Sequence, residues 1–323
     1  MKTIRWGIIG CGDVTEVKSG PGFQKARGSE LAAVMRRNGD LAKDYALRHH
    51  VPVWYDDAEA LIHDTHVDAV YIATPPSSHK EYTLDAAKAK KPVYVEKPMA
   101  MSYAECCEMI EVCKQASVPL FVAYYRRAQP RFLKIRSLLE EEVLGDIRRV
   151  HVRYERPPLP EDVEGNQHWR TNPAIAGAGY FFDMGSHMID LLNYFLGPMK
   201  SAQGYSANQG KLYAAEDSVS ALMQFDQGVH GSGVWDFCAA EPFDQTEIVG
   251  TKGTILYSTF SDSLIRIKVG SAMEEISIPN PEHVQQPLIQ TVVDELLGKG
   301  KCPSTGETGA MASWAMDKIL GRI

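Results

Sequence analysis

The sequence lacks the long apolar segment and the signal pattern that membrane and secreted proteins carry. Its longest apolar run, residues 118–125, contains Pro119 and is much shorter than the ~18–20 residues that a membrane helix needs. The first residues lead directly into a strand pattern broken by Arg5, with no apolar signal region and no cleavage site. We therefore expect a cytoplasmic protein without a membrane partner.

Cysteine and basic charge are also scarce. The six cysteines form no C-x-x-C pair and have no ligand-like spacing, so reduced thiols are expected rather than disulfides or a metal site. The 34 Lys and Arg residues are outnumbered by 41 Asp and Glu, which leaves a net charge of −7. Because an acidic surface repels phosphate backbones, we expect no nucleic-acid partner.

What the sequence does contain is enough apolar material for an ordinary globular fold. Its 323 residues, 44% hydrophobic and 23% charged, correspond to about two domains of typical size. From residue 1 to 125, short β-rich runs alternate with helical periodicity, which predicts a doubly wound parallel sheet with helices on both faces, an α/β Rossmann-type domain. The predicted strands cover 4–9, 31–35, 51–54, 69–72, 93–96 and 120–123, and the predicted helices cover 14–25, 40–49, 57–64, 79–89 and 103–116, with Asp40, Asp57 and Ser102 as caps.

After residue 125 the pattern changes, and an α+β domain with an open, mostly antiparallel sheet is expected over 126–323. One face of such a sheet needs a cover beyond its own helices. This favours a homodimer or homotetramer formed through the C-terminal sheet over a monomer with a polar outer face. Helices are predicted at 130–142, 181–195, 287–297 and 309–319, and strands at 147–155, 219–225, 229–237, 246–250, 253–258 and 263–269.

A glycine-rich turn follows the first predicted strand. Gly10 and Gly12 stand at the end of that strand, and Asp13 and Val14 open the helix behind it. Gly10 permits a tight turn and Gly12 lets the backbone approach a pyrophosphate, although Thr15 replaces the usual third small residue. This setting predicts dinucleotide binding rather than a plain strand-to-helix turn.

Two arginines end the second predicted strand. NAD-binding proteins place an acidic residue there to bind the adenosine ribose, whereas this chain has Arg36 and Arg37. Guanidinium groups suit a 2′-phosphate, so NADP(H) is the expected cofactor and NAD(H) the alternative. Solvated surface arginines are the competing interpretation.

A lysine stands where ligands gather in open α/β sheets. Lys97 follows Glu96 at the end of the fifth predicted strand and precedes Pro98. Burial beside a cofactor would lower its pKa from ~10.4 and let it share a substrate hydroxyl proton. The turn into the site also predicts a cis peptide between Lys97 and Pro98. An edge lysine before a helix-starting proline is the alternative.

A carboxylate and an imidazole are spaced for one helix face. Asp183 and His187 are four residues apart, and Asp190 lies close to the same face. Such a carboxylate can fix the tautomer of the imidazole and support its charged form, as a general acid or base requires. Metal binding is not expected because no third ligand is apparent. A capping aspartate beside a core histidine is the competing interpretation.

These signals together resemble the glucose–fructose oxidoreductase and inositol dehydrogenase family (Gfo/Idh/MocA) over nearly the whole chain. The resemblance implies a Rossmann domain, a second domain with an open sheet, and hydride exchange between NAD(P) and a sugar, polyol or related carbonyl compound. It rests on the Gly10 and Gly12 turn, the ATPPSSH segment at 73–79, Glu96-Lys97-Pro98, Tyr125-Arg126-Arg127, Trp169-Arg170, and the spacing of Gly179, Asp183, Gly185, His187 and Asp190.

The resemblance also assigns roles to the matching positions. Tyr125 stands where many relatives have asparagine. The region around Arg36 resembles the corresponding region of NADP-linked relatives such as 1,5-anhydro-fructose reductase. Aromatic faces and guanidinium donors suit a hydroxylated ring, which makes several such residues candidates for the substrate pocket. The implied set is Lys97, Asp183 and His187 for catalysis, Thr74, Pro75, His79, Glu96 and Lys97 for the nicotinamide half of the cofactor, and Tyr124, Tyr125, Arg127, Trp169 and Arg170 for the substrate.

The expected function is therefore NADP(H)-preferring oxidation or reduction of a sugar-like alcohol or its carbonyl. His187, oriented by Asp183, would exchange the proton while Lys97 polarises the oxygen, and a lysine proton donor tuned by His187 fits the sequence equally well. Two alternatives stay open. One is a glycoside-cleaving enzyme that keeps NAD bound and uses transient oxidation; the other is a non-catalytic dinucleotide-binding sensor, which would not need the acid/base set.

Overall fold

The N-terminal part of the chain forms a parallel sheet of six strands in a computed structural model that describes residues 2–166 and 168–323. Each strand pairs in parallel with its neighbours, as the helical crossovers between strands require. The doubly wound sheet predicted from the alternating pattern is confirmed. Its elements are β1 (Ile4–Ile9), α1 (Asp13–Val17), α2 (Gly20–Lys25), β2 (Ser29–Met35), α3 (Gly39–Arg48), β3 (Val53–Tyr55), α4 (Ala58–His63), β4 (Ala69–Ile72), α5 (His79–Lys88), β5 (Val93–Val95), α6 (Tyr103–Ala116) and β6 (Leu120–Val122), in the sheet order β3-β2-β1-β4-β5-β6.

The single helix predicted over 14–25 is wrong, because the structure has two short helices there. Helix α1 ends at Val17 and α2 begins at Gly20. Pro21 has no N–H with which to continue a helical ladder. A side chain at Gly20 would lie 2.3 Å from the carbonyl oxygen of Thr15, so this close approach needs glycine.

The predicted helix caps are confirmed at two of three positions. The Asp57 carboxylate accepts from the backbone N–H groups at the start of α4, and the Ser102 hydroxyl accepts from Glu105 N at 3.3 Å. Helix α3, however, is capped by Asn38, whose side-chain oxygen accepts from Leu41 N at 3.2 Å. Asp40 lies inside the first turn of α3. The prediction mistook a favourable first-turn charge for the cap itself.

The core on one face of this sheet is aromatic. The ring of Phe23 lies 4.8 Å from Trp6 and 5.0 Å from Tyr71, and Tyr71 stacks on Tyr94 at 5.1 Å. All four side chains are fully buried. Burying several such rings contributes a large share of the apolar stabilisation of a domain.

The chain divides into two compact units, and the first is formed by two separate segments of the chain. The first unit comprises the residues up to Gln129 together with Pro281–Ala310, and the second comprises Pro130–Asn280 and Met311–Ile323. Helix α11 (Gln286–Leu296) supplies Leu288, Ile289, Val292 and Val293 to the aromatic core. The division at 125 into residues 1–125 and 126–323 did not anticipate this return, because an amphipathic helix carries no mark of the sheet it will cover.

The second unit contains a mostly antiparallel sheet of eight strands, as predicted. Only β7 and β10 pair in parallel. The elements are α7 (Pro130–Glu140), β7 (Ile147–Glu155), α8 (Pro160–Val163), α9 (Pro173–Ala176), α10 (Ser186–Leu196), β8 (Met199–Ala207), β9 (Ser218–Phe225), β10 (His230–Asp236), β11 (Phe243–Gly250), β12 (Gly253–Tyr257), β13 (Ile265–Val269) and β14 (Ala272–Ile276), with the sheet order β14-β13-β12-β11-β7-β10-β9-β8. Helix α12 (Gly306–Ile319) begins in the first unit and ends in the second.

Helices α7 and α10 cover one face of this second sheet. Trp235 on β10 donates its indole N–H to the sulfur of Met188 on α10. The Tyr257 ring on β12 lies 6.1 Å from Phe132 of α7 and 6.1 Å from Phe195 of α10. The apolar side of the sheet is therefore buried against its own helices, as the alternating strand pattern indicates.

Both edge strands of the second sheet escaped prediction. In β8 and β14 most positions are exposed, and neither has the alternation of apolar and polar residues that marks a half-buried strand. A strand whose side chains are exposed on both faces needs few apolar residues, and edge strands often carry charged side chains. No helix in the described residues is long and apolar enough to cross a membrane.

Candidate active site

The glycine turn after β1 is fixed by its neighbours on both sides. Gly10 and Cys11 donate their N–H groups to the carbonyl oxygen of Met35 at the end of β2, at 2.8 and 3.1 Å. Gly10 has a φ of +92°, and a Cβ there would lie 2.8 Å from Cγ2 of Thr74 and 3.0 Å from the backbone of Ala73. Glycine is therefore required at this position for both conformation and space.

Gly12 differs from Gly10 because its surroundings are open. The protein atom nearest to an added Cβ would be the Gly10 carbonyl oxygen at 4.0 Å. Thr15, which replaces the usual third small residue, is buried and donates its hydroxyl to the Gly12 carbonyl oxygen at 2.7 Å. The absence of a side chain at Gly12 therefore leaves space for a group outside the protein, as a bound pyrophosphate needs.

The two arginines predicted to select the cofactor are exposed at the end of β2. Arg36 directly follows the Met35 carbonyl that holds the glycine turn. Burial raises the pKa of the Cys11 thiol to about 11, and the positive charge of Arg36 opposes this rise. Arg36 thus lies within electrostatic range of the glycine turn, beside Arg37. At the start of α1, Asp13 is exposed and Val14 half-buried.

His79 links two turns at the edge of the first sheet. Its Nε2 lies 2.7 Å from the carbonyl oxygen of Thr74, and its Nδ1 lies 3.0 Å from that of Pro98. Burial lowers the pKa of His79, although these carbonyl groups favour the protonated form. The Thr74 hydroxyl accepts from Ser78 at 2.8 Å, and Ser78 also bonds to Pro75. His79 therefore joins the turn after β4 to the turn that contains Lys97.

The backbone at Lys97 is held by a buried carboxylate. Glu96 accepts the hydroxyl of Tyr71 at 2.6 Å, the amide of Gln285 at 2.7 Å, and the backbone N–H of Lys97 at 3.0 Å. Burial, and then the charge of Glu96, raises the pKa of Tyr71 well above its usual value. The predicted cis peptide between Lys97 and Pro98 is present. Gln285 escaped prediction because it is 189 positions from Glu96 and no local motif marks it.

The aromatic and basic residues after β6 are mostly buried. Tyr124 and Tyr125 belong to the interior, and the guanidinium carbon of Arg126 lies 4.9 Å from the centre of the Tyr125 ring. Burial alone would raise the pKa of Tyr125, but the charges of Arg126, Lys18 and Lys97 together lower it. Arg127, a substrate candidate, is buried and donates to the Pro303 carbonyl oxygen at 2.9 Å.

In the second unit, Asp183 lies on a π-helical turn rather than on a regular α-helix. The turn spans Phe181–Gly185, and α10 begins only at Ser186. The prediction placed Asp183 and His187 on one α-helix, whereas Asp183 lies on the π-helical turn and only His187 lies on α10. That the two side chains share a face stays a prediction. Such turns are rare and occur often at functional sites.

Asp183 forms an ion pair with one of the substrate candidates. Nε of Arg170 lies 3.2 Å from the Asp183 carboxylate, and the guanidinium carbon is 4.4 Å from the centre of the Trp169 ring. Burial, and then the charge of Arg170, lowers the pKa of the neighbouring His168. The structure thus brings Trp169, Arg170 and Asp183 together, which sequence spacing alone did not predict.

His187 and Asp190 are both buried on α10. His187 is 4% exposed, and its ring stands nearly perpendicular to that of Phe260 with centroids 6.0 Å apart. Phe260 belongs to the turn after β12 and escaped prediction. Lys97 lies in the first unit, whereas Asp183 and His187 lie in the second.

Contacts with Glu216 explain why position 179, in the motif before the π turn, is a glycine. The Glu216 carboxylate accepts the Gly179 N–H at 2.9 and 3.1 Å, and burial raises the pKa of Glu216. A Cβ at Gly179 would lie 2.6 Å from the Glu216 carbonyl oxygen. Glu216 escaped prediction because its partner is distant in sequence. Within residues 2–166 and 168–323, no three His, Cys, Asp or Glu side chains are grouped to hold a metal ion.

Comparison with known proteins identifies the family. Residues 4–124 match the oxidoreductase family with an NAD-binding Rossmann fold, and residues 132–256 match the GFO/IDH/MocA C-terminal domain. Oxidoreductase P35 of Formosa agariphila is 41% identical over 319 residues, which cover 98% of each chain. The chain belongs to the Gfo/Idh/MocA family. The family resemblance, the two-part fold and the oxidoreductase class predicted for this Gfo/Idh/MocA protein are therefore confirmed.

Solved structures of related fold carry either type of nicotinamide cofactor. Levoglucosan dehydrogenase in complex with NADH and levoglucosan has a TM-score of 0.87 and 21% identity, and the match covers 98% of this chain and 96% of that chain. KijD10, a 3-ketoreductase from Actinomadura kijaniata in complex with NADP and TDP-benzene, has a TM-score of 0.85 and 21% identity, with 98% and 97% covered. At 21% identity these matches establish the fold alone. Because they cover 98% of this chain, the agreement in fold includes both units.

Substitutions at Gly12 and at Gly10 should affect different properties of the protein. We expect Gly12→Ala to leave the stability of the protein nearly unchanged but to weaken binding of the nicotinamide dinucleotide about tenfold or more, because the added Cβ enters the open space in which we expect the pyrophosphate to bind. Gly10→Ala should instead lower the free energy of unfolding by about 1–3 kcal/mol, because the Cβ meets protein atoms at an unfavourable φ.

Urea unfolding without cofactor and titration of nicotinamide fluorescence separate the two effects. Gly298→Ala is the matched control, since Gly298 also has a positive φ but nothing within 4 Å of an added Cβ. Unchanged affinity for both NADH and NADPH in Gly12→Ala would remove this turn from the cofactor site.

Proposed function

We propose that this protein transfers hydride between NADP(H) and a sugar-like secondary alcohol or its carbonyl compound. Lys97, Asp183 and His187 are the proposed catalytic residues. The observation that carries the proposal is the support built around Lys97, because a buried carboxylate and a buried imidazole both fix the turn that contains it. A surface lysine needs no such support.

The chemistry follows from the groups present. Nicotinamide, when bound, exchanges a hydride with the substrate carbon. The ammonium group of Lys97 donates a hydrogen bond to the substrate oxygen and favours the negative charge that develops there. In the oxidation direction the hydroxyl proton passes to the neutral imidazole of His187. In the reduction direction the Lys97 ammonium can instead donate the proton to the substrate oxygen, with His187 tuning it. Arg170, paired with Asp183, adds guanidinium donors for the hydroxyl groups of the substrate.

The proposed substrate class rests on the relatives and on the side chains that this chain offers. A protein of the same fold binds levoglucosan, an anhydro sugar. Trp169 and Arg170 form one stacked pair here, and Tyr125 carries a hydroxyl in a positively charged setting. Aromatic faces and charged donors are the usual means of binding a sugar ring.

Removing either proposed proton-transfer group should abolish most of the activity. We expect Lys97→Met and His187→Ala each to lower kcat by at least ~10²-fold while NADP(H) affinity stays close to that of the unmodified protein, because both act on the substrate oxygen. The assay is a screen of sugars and polyols that follows nicotinamide absorbance. Lys88→Met and His63→Ala, which change exposed residues of the same types, are the controls.

The pH dependence of kcat then shows which of the two groups transfers the proton. The variant in which the pH-dependent limb of kcat disappears identifies the group that titrates. Near-normal turnover in both variants would remove Lys97 and His187 from the mechanism. Product release from a glycoside without net turnover of nicotinamide would favour the glycoside-cleaving alternative.

The proposed preference for NADP(H) rests on Arg36. A carboxylate at this position would repel a 2′-phosphate, whereas the Arg36 guanidinium lies close enough to the glycine turn to act on the Cys11 thiol. Both Arg36 and Arg37 are exposed and therefore accessible to a ligand. Each charge-assisted hydrogen bond contributes typically 1.5–3 kcal/mol, so about a ten- to a hundredfold preference is reasonable.

Arg36→Asp should shift the ratio of kcat/KM values toward NAD(H), mainly by weakening NADP(H) binding. Activity with NAD(H) should remain, because the substitution leaves the proposed catalytic residues intact. Arg27→Asp makes the same change of charge at another exposed position in the first unit and serves as the control. If the unmodified protein favours NAD(H) and Arg36→Asp leaves the ratio unchanged, Arg36 is a solvated residue.

The proposed oligomer is a homodimer, or a tetramer built from it, through the uncovered face of the second sheet. Tyr205, Leu222 and Val234 are 88%, 58% and 42% exposed on the adjacent strands β8, β9 and β10. Apolar side chains exposed next to one another are typical of an interface between subunits.

Leu222→Lys combined with Val234→Lys should reduce the molar mass in sedimentation equilibrium to that of the monomer, because two charges would be buried without partners. Leu47→Lys changes an exposed leucine on α3 and should leave the mass unchanged. A monomeric mass for the unmodified protein would refute the proposed interface.

A further inference from the structure

Residues 258–263, in the connection between β12 and β13, are held by an arginine from a distant helix. Arg131, on α7, is 2% exposed. Its guanidinium donates to the carbonyl oxygens of Ser261 at 2.7 Å, Ser263 at 3.1 Å and Ser258 at 3.3 Å. One buried cation thus binds three carbonyl groups of a six-residue loop, which we call the 258–263 loop.

A carboxylate binds the N–H groups of the same loop. Asp244, on β11, accepts from the backbone of Phe260 at 2.7 Å and of Thr259 at 3.1 Å, and it also accepts the hydroxyl of Ser258. The Ser258 hydroxyl oxygen accepts in turn from the backbone N–H of Ser261 at 3.0 Å. The loop is therefore held through its N–H groups as well as its carbonyl groups.

Such support exceeds what a connection between two antiparallel strands requires. Strands of this kind can be joined by two residues without any charged side chain. Burying a guanidinium is costly unless its donors are satisfied, and here the acceptors are the carbonyl groups of the loop itself. The carboxylate of Asp262 lies 3.8 Å from Arg131 and is largely exposed. The arrangement specifies the shape of the loop.

The side chain that this loop places is Phe260. Its ring contacts Tyr154 nearly edge-to-face with centroids 5.1 Å apart, and it contacts His187 in the same manner at 6.0 Å. Phe260 is thus the link between the 258–263 loop and the buried imidazole on α10. All of these residues lie within the second unit.

We propose that Arg131 and Asp244 are positioning residues that set the orientation of the His187 imidazole through Phe260. The inference rests on the proposed role of His187 in proton transfer. Helix α10 fixes the backbone of His187, but the torsion that rotates an imidazole ring is broad, so neighbouring groups decide the ring orientation. A ring packed nearly perpendicular to the imidazole restricts that rotation and favours one orientation of the imidazole plane.

Nuclear magnetic resonance of the full-length protein, labelled in histidine and phenylalanine, tests the link without any substrate. A cross-peak between the rings of His187 and Phe260 is expected in the unmodified protein. Asp244→Asn and Arg131→Lys, neither of which alters the two rings, should abolish it and move the His187 ring signals toward those of Phe260→Leu. Arg131→Lys keeps the buried positive charge, and Asp244→Asn keeps the side-chain size, so folding is protected in both.

Two further variants serve as controls. Phe260→Tyr retains an aromatic ring and should keep the cross-peak, whereas Phe260→Leu cannot give it. Arg148→Gln removes an exposed arginine of β7 and should leave the His187 signals unchanged. A cross-peak that persists at full strength in both Asp244→Asn and Arg131→Lys would overturn the proposal, whatever the activity of these variants.

Kinetics with the substrate found by the sugar screen supply the second readout. Asp244→Asn and Phe260→Leu should lower kcat by about tenfold or more and shift its pH profile, with little change in KM for the cofactor, because a misplaced acid or base transfers protons poorly. Phe260→Tyr should restore most of kcat. A purely structural role would instead reduce the active fraction and leave the pH profile unchanged, which would also overturn the proposal.

The two measurements distinguish failure of the inference from failure of the proposed function. If the cross-peak depends on Asp244 but no sugar or polyol supports nicotinamide turnover, the link through Phe260 is supported and the proposed function is refuted. If turnover is found and His187→Ala abolishes it while Asp244→Asn leaves kcat and its pH profile unchanged, the positioning role is refuted and the function stands.

Discussion

The candidate site of the first unit depends on the hydrogen bonds that the buried carboxylate of Glu96 accepts. It accepts hydrogen bonds from Tyr71 in the aromatic core, from Gln285 in the returning segment and from the backbone of Lys97. A buried anion is tolerated only when donors replace the water it has lost. These three donors come from three separate parts of the chain, so the turn at Lys97 has its geometry only when the core and the returning segment are both in place.

Charged side chains also hold backbone and functional groups in the second unit. Glu216 holds the backbone of Gly179 before the π turn, and Arg170 pairs with the Asp183 carboxylate on that turn. Arg131 and Asp244 hold the 258–263 loop. In each case a charged side chain binds backbone or a candidate functional group. This pattern favours rigidity in the elements that carry the proposed catalytic residues.

Local patterns predicted the parts of the fold that local forces decide. The six parallel strands, the capping residues Asp57 and Ser102, and the glycine turn all follow from the apolar periodicity or from the conformational needs of single residues. The break between α1 and α2 was missed although Pro21 marks it, because the prediction followed the apolar periodicity across Gly20 and Pro21. The close approach of Gly20 to Thr15 became apparent only in the structure. Edge strands β8 and β14 were missed because exposed strands need no alternation.

The sequence by itself determined the two-part architecture, the family, and the identities of the candidate residues Lys97, Asp183 and His187. These follow from motifs within a few positions of one another, where backbone conformation and side-chain chemistry are coupled directly. Only the tertiary structure decided that Arg170 pairs with Asp183, that Gln285 returns to Glu96, and that Phe260 packs on His187. Such partners are selected by burial and by the satisfaction of hydrogen bonds across the folded chain, and sequence separation gives no measure of either.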